Sequence, residues 1–301
     1  MVNARGPVAA IGNFDGVHEG HLRLIERAAD FARSRTVKLA AVVFDPHPRR
    51  FFRPDDPPFL LTTPTRRNAL LKEAGVAEVL ALTFNADLAA LTPEQFVAAM
   101  LKDRLRLGGV VTGTEFRFGK ARAGDATALK TLCGAAGIET LLIEPKAERH
   151  DGLKIGSSEI RDAIAGGDVK EAALMLGRRW SVEGIVGEGQ KLGRTLGFPT
   201  ANLTLGDLIE PRRGVYAVEV LAEGRCHGGV ANFGRRPTVG SAAALLEVHL
   251  FDFAGDLYDK TIDVAFVDFI RDERKFDGLV ALKQQIAADA GAARRILEMT
   301  E

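Results

Sequence analysis

Apolar positions change their period along this chain, and the change divides it in two. In the first half, short apolar runs at 8–11, 37–44, 78–84, 110–113 and 139–143 have the length and composition of buried strands. Between them, apolar residues return at helical spacing over 21–32, 65–73, 93–105 and 126–135. Thr92-Pro93-Glu94-Gln95 is a strong helix start: Thr as N-cap, Pro at the first helical position, Gln three residues after the cap. Strands alternating with helices predict a parallel sheet covered by helices, with ligands gathered at the carboxyl ends of the strands.

Near Gly177 the character shifts. Two short helical patterns, 158–165 and 169–176, give way to period-two alternation over 215–221, 246–251 and 262–267. Glu223-Gly224 and Ala254-Gly255-Asp256 mark turns between them, which predicts a small antiparallel barrel. The tail over 279–299 reads as a helix broken near Gly291. The boundary falls at about residue 178, giving domains 1–177 and 178–301, with no internal repeat or low-complexity tract.

Composition narrows the partners. At 301 residues the chain can form two ordinary domains, each with its own core, and 46% hydrophobic residues fit a globular protein. Forty basic and forty acidic side chains leave no global field for nucleic acid or anionic membrane. Basic pairs such as Arg49-Arg50 and Arg212-Arg213 read as solvated surface. Cys133 and Cys226 match no paired motif, as expected of reduced thiols in the cytoplasm. No stretch resembles a signal peptide or approaches the roughly 20 apolar residues of a membrane helix, and no pattern sets an oligomeric state.

The densest chemistry lies at Gly12-Asn13-Phe14-Asp15-Gly16-Val17-His18-Glu19-Gly20-His21, between the first strand and the first helix. Two histidines three apart share one face of the first helical turn. A helix start favours phosphate through its unpaired N–H groups and the positive end of its dipole, and imidazoles there add donors. Other readings fit less well. The histidines are one residue closer than in the zinc-protease motif, the glycines miss the dinucleotide-binding spacing, and Gly113 to Lys120 misses the P-loop spacing. No Cys/His cluster nearby completes a metal site.

This element resembles the H-x-G-H turn of the nucleotidylyltransferase superfamily, and its wider frame is similar to the prokaryotic bifunctional riboflavin kinase/FMN adenylyltransferase family. Supporting segments follow in that family's order: Phe44-Asp45-Pro46-His47-Pro48, Phe116-Arg117-Phe118-Gly119, Ser157-Ser158-Glu159-Ile160-Arg161, Lys191 to Asn202, and Leu245-Leu246-Glu247-Val248-His249. The resemblance implies an α/β Rossmann-like nucleotidylyltransferase domain with a parallel sheet. A small antiparallel β-barrel riboflavin kinase domain with a C-terminal helix would follow it. It implies ATP and Mg²⁺ as companions, and riboflavin, FMN and FAD as ligands.

Residue by residue, it implies that His18 and His21 touch ATP phosphates with backbone N–H groups around Gly12 and Phe14. Ser157, Ser158 and Arg161 would form a second phosphate element, and Phe44, His47 and Glu115 would line the cleft. In the second domain it implies Gly193, Thr200 and Asn202 around ATP, with Thr200 and Asn202 on Mg²⁺. Hard oxygens of that kind suit Mg²⁺. Glu247 would be the general base toward the riboflavin 5′-hydroxyl. Arg271 resembles the flavin-side residue, a surface ion pair being the alternative. The chain departs from the family pattern at Gly156 and Ser158 (usually Ser and Thr), Glu115 (Asn or Asp), Trp180 (Tyr) and Arg235 (Thr). Two further readings keep one working half with the other as scaffold, or a flavin-binding module without catalysis. Intact His18, His21, Thr200, Asn202 and Glu247 argue against both.

Overall fold

The computed structural model describes residues 6–144, 155–188, 197–235 and 244–299. They form two compact units: one from residues up to 56 and 63–156, the other from Pro57–Thr62 and 157 onward.

The first unit is built on five parallel strands, β1 (Val8–Ile11), β2 (Leu39–Asp45), β3 (Glu78–Thr83), β4 (Gly109–Gly113) and β5 (Glu139–Ile143), in the order β3-β2-β1-β4-β5. The order reverses between β1 and β4, which opens a ligand crevice at their carboxyl ends. All four residues of β1 are buried, as a central strand covered on both faces requires. Helix α1 (Glu19–Arg33) packs Ile25, Ala28 and Ala32 against one face. The other face carries Leu101, Leu129 and Cys133, the last two from α6 (Ala126–Ala135). Between them come α2 (Pro48–Phe52), α3 (Pro64–Glu73), α4 (Ala86–Ala90) and α5 (Pro93–Gln95).

The helix expected over 93–105 differs in kind. Its capping box forms as the sequence requires, but after Gln95 the chain widens into a π-helix, Phe96–Arg104. Its buried residues are Phe96, Val97 and Leu101. Positions 96 and 101 are five apart, and the i→i+5 turn of a π-helix sets them over the same surface.

The second unit is a six-stranded antiparallel sheet closing toward a barrel, in the order β6-β11-β8-β9-β10-β7. Its strands are β6 (Ser181–Ile185), β7 (Ala201–Thr204), β8 (Gly214–Ala222), β9 (Arg225–Arg235), β10 (Ala244–Leu250) and β11 (Thr261–Asp272). A bridge between Gly187 and Asn202 joins the two ends. Helices α7 (Ser157–Gly166) and α8 (Val169–Leu176) belong to this unit, with Lys170 paired to Asp268 of β11.

So does the short segment Pro57–Thr62. Phe59 and Leu60 donate backbone N–H bonds to the Asp207 carbonyl, and Ile209 donates to Leu60. The Trp180 indole donates to the Leu61 carbonyl (3.0 Å), and Arg161 Nε donates to Phe59 (2.7 Å). Phe59 and Leu61 are fully buried.

The tail corrects the expected break. Helix α9 (Leu279–Glu298) runs straight through Gly291. Ala290 and Ala293 bury against Val215, Ala217 and Val267 of the barrel, and Arg294 forms a bidentate pair with Asp252. These contacts outweigh the ~1 kcal/mol that a helical glycine costs.

A fragment beginning at 178 loses α7 and α8, which bury Ile160, Ile164, Val169, Ala172, Met175 and Leu176. Large aliphatic side chains contribute about 1.5–3 kcal/mol each on burial. A fragment starting at 157 is therefore expected to melt at least ~10 °C above one starting at 178. Thermal scans of the two purified fragments check this.

Among the described residues no helix is long and apolar enough to cross a membrane.

Candidate active sites

In the first unit the chain leaves β1 through a turn held in unusual backbone geometry, with Phe14 (φ 51°), Gly16 (φ 83°) and Val17 (φ 41°) all left-handed. That turn aims the next residues back over the sheet. His18 caps α1, its Nδ1 accepting the His21 backbone N–H at 3.4 Å. With Nδ1 accepting that bond, Nε2 is the ring nitrogen left to donate. The His18 and His21 rings stack at 3.7 Å, and the Phe14 ring stands edge-on to His21 at 5.2 Å. Burial, then the neighbouring His18, pushes His21 well below its ordinary value, so it is a neutral imidazole at pH 7. Its buried Nδ1 lacks a hydrogen-bond partner.

Gly12 and Phe14 serve this turn differently. The Gly12 amide donates to the Val42 carbonyl at 3.2 Å, extending the sheet ladder. A Cβ there would meet the Phe14 ring at 3.3 Å, so the bare backbone lets that ring sit beneath the turn.

Alongside lies a cleft of about 880 Å³ lined by Gly12, Phe44, His47 and Glu115, among others. Phe52, Phe84, Phe96, Phe116 and Phe118 form its apolar wall, with Arg49, Arg53, Arg117 and Arg122 on its polar side. His47 caps α2, its Nδ1 accepting the Arg49 N–H at 3.1 Å. Sequence reasoning missed Arg67, a buried guanidinium in α3 that donates to the Phe44 carbonyl at 3.4 Å. Burial lowers its basicity, and the carboxylates of Asp45 and Asp15 partly restore it. An arginine inside a helical pattern gives no sign of this in one dimension.

Ser157 and Ser158 open α7, and Arg161 follows in its second turn, all in the second unit. The Arg161 guanidinium also lies 5.5 Å over the Phe59 ring.

The barrel brings its candidates into one row. Strand register pairs Glu247 with Asn202 on one side and Asn232 on the other. Asn232 in turn pairs with Val215, and Val215 with Arg271. Directly paired residues point to the same face, so Asn202, Glu247, Asn232, Val215 and Arg271 cross the sheet together. This face meets α9, while Leu246 and Val248 fill the interior. Spacing of about 4.8 Å per strand puts Arg271 on the order of 14 Å from Glu247. Bulges in β11, between Phe266 and Asp268 and between Phe269 and Arg271, bring Arg271 into this row.

Arg271 makes an ion pair, though with the buried Asp289 and not at the surface as its alternative reading had it. Its Nε and Nη2 bond Asp289 of α9 at 2.9 and 2.7 Å, and Nη1 bonds the Asp272 carbonyl. Asn232 is the group sequence reading overlooked; in Gly229-Val230-Ala231-Asn232 nothing marks it before the register is known.

Thr200 and Asn202 line a small pocket of about 80 Å³ with Pro199 and Asp256. Asn202 is buried and its Oδ1 lacks a hydrogen-bond partner. A buried orphan acceptor beside a hydroxyl fits a hard cation. Gly193 lies outside the described residues. Neither thiol is activated: burial pushes Cys133 up to about 11 and also raises Cys226.

A parallel sheet ending in a two-histidine turn, with a barrel carrying a carboxylate between amides, defines a two-site nucleotide-dependent transferase. The family model described as FAD synthetase matches residues 2–159, and that described as riboflavin kinase matches residues 176–297. Bifunctional riboflavin kinase/FMN adenylyltransferases are similar along the whole length. The one from Pseudomonas fluorescens is 43% identical over 97% of this chain and 93% of its own. That from Escherichia coli K12 is 39% identical over 98% and 94%. A crystal structure described as a macrolide-efflux protein from Streptococcus pneumoniae shares the fold, with TM-score 0.86, 34% identity, and 96% and 94% of the two chains covered. The chain belongs to the bifunctional riboflavin kinase/FMN adenylyltransferase family. It phosphorylates riboflavin to FMN and adenylylates FMN to FAD.

Proposed function

We propose that residues 178–301 carry the kinase reaction on the row around Glu247, and residues 1–177 the adenylyl transfer beside His18 and His21. The observation that carries the kinase assignment is the register that sets Glu247 between Asn202 and Asn232. Glu247 accepts the riboflavin 5′-hydroxyl proton as that oxygen bonds the γ-phosphorus of ATP. The bond from that phosphorus to the β-bridging oxygen breaks, and ADP leaves. Thr200 and Asn202 would hold Mg²⁺ on the ATP phosphates, where the ion supplies charge neutralisation. Arg271 contributes by fixing α9 over the row through Asp289.

In the first unit a phosphate oxygen of FMN bonds the α-phosphorus of ATP, and pyrophosphate leaves. No protein nucleophile is needed; positioning and donors to the developing charge carry such a step. His18 and His21 supply donors at the start of α1, where the helix dipole adds to them. The phenylalanine wall of the cleft takes the flat isoalloxazine ring, with His47 and Glu115 at its rim.

The free thiols and balanced surface charge support a cytoplasmic enzyme without nucleic-acid or membrane partners. Incubation with riboflavin and Mg-ATP, then chromatography, is expected to show FMN rising first and FAD after it. FAD without prior FMN, or neither product, overturns the assignment.

A further inference from the structure

His249 stands two residues beyond Glu247 on β10, so both side chains leave the same face of the strand. Its Nδ1 lies 2.8 Å from the Pro199 carbonyl oxygen. A carbonyl only accepts, so Nδ1 carries a proton and donates. The ring also meets Phe198 edge-on at 5.4 Å and Phe251 at 6.0 Å. It is thus fixed by one directed bond and two aromatic neighbours.

What it holds is the approach to the small pocket. Residues 201–204 are set by the ladder with β10, and the Gly187 amide donates to the Asn202 carbonyl at 2.9 Å. Phe198, Pro199 and Thr200 precede that strand. Pro199 has a fixed φ and no N–H to give, so its carbonyl is the handle by which this stretch is oriented. Turning that peptide plane turns the backbone of Thr200, the next residue, and with it the hydroxyl that lines the pocket beside Asn202.

We infer that His249 is a positioning residue for nucleotide binding in the kinase site: its Nδ1–H bond to Pro199 sets the Thr200 hydroxyl. The strand that bears the base thereby also sets the phosphate side, tying two halves of one site to one rigid element. This rests on the kinase reading given above.

Two variants of the full-length protein separate the bond from the packing. His249→Phe keeps a ring between Phe198 and Phe251 but loses the donor. His249→Asn loses the ring, yet its side-chain amide nitrogen falls where Nδ1 was. With Mg-ATP varied at saturating riboflavin, His249→Phe is expected to raise KM for Mg-ATP about two- to tenfold, the worth of one hydrogen bond, with kcat changed less than about twofold. His249→Asn is expected closer to the parent than His249→Phe, and adenylylation of supplied FMN is expected to match the parent in both. A parent-like KM in His249→Phe overturns the inference, as does His249→Asn being the worse variant, because packing would then decide. Glu247→Gln run in parallel tells the failures apart: if it too phosphorylates riboflavin normally, the site reading fails and not this bond alone.

Discussion

Glu247→Gln is expected to lower riboflavin phosphorylation by about 10²–10⁴-fold, the range for a lost general base. The loose transition state of phosphoryl transfer places the result toward the lower end, because little proton transfer is needed before the γ-phosphoryl group departs. The glutamine keeps the shape and an acceptor oxygen between Asn202 and Asn232. Mg-ATP and riboflavin are therefore expected to bind as before, and the loss to appear in kcat. FAD production from added FMN is expected to continue at the parent rate, since Glu247 belongs to the barrel unit. Separate assays of the two half-reactions decide it. Near-normal FMN formation would make Glu247 an ordinary strand residue.

The counterpart is His21→Ala. Removing one preorganised donor to a developing phosphate charge costs about 10²–10³-fold, and FAD formation is expected to fall by that amount while riboflavin phosphorylation persists. Equal loss of both activities in a folded variant would defeat the two-site assignment. The same substitution has a second readout. His21 binds its proton well below its ordinary value in the folded protein, chiefly through burial. The unfolded chain takes up that proton first as pH falls through about 6.5, so folding stability is lost on acidification with a slope of up to ~1.4 kcal/mol per pH unit. Denaturant titrations between pH 5 and 7 are expected to show a shallower slope in His21→Ala. An unchanged slope would mean that other groups set the acid sensitivity.

Much of this was readable in one dimension where local pattern and tertiary need agree. The run over Val8–Ile11 followed by a histidine turn and helical spacing could be little else, and β1, the turn and α1 are found there. Strands β8, β10 and β11 show their alternation openly. The π-helix was hidden because Phe96, Val97 and Leu101 also fit an α-helical stripe. Continuity at Gly291 depends on what α9 packs against, which propensity does not contain. Thr200, Asn202 and Glu247 were identified through resemblance, but their alignment with Asn232 and Arg271 is a matter of register, and register joins residues far apart in sequence. Likewise, Arg67 and His249 gain meaning only from the carbonyls they meet.

The hexapeptide Pro57–Thr62 bears on the order in which the protein is made. It leaves the ribosome between α2 and α3, yet its neighbours Arg161, Trp180 and Asp207 come roughly a hundred or more residues later. At about 5–20 residues per second, Phe59 and Leu61 wait on the order of 5–20 s or longer before their burial sites exist. The nascent sheet unit therefore spends that interval with an apolar loop open to chaperones. The barrel thus completes a segment translated roughly a hundred residues before its own partners.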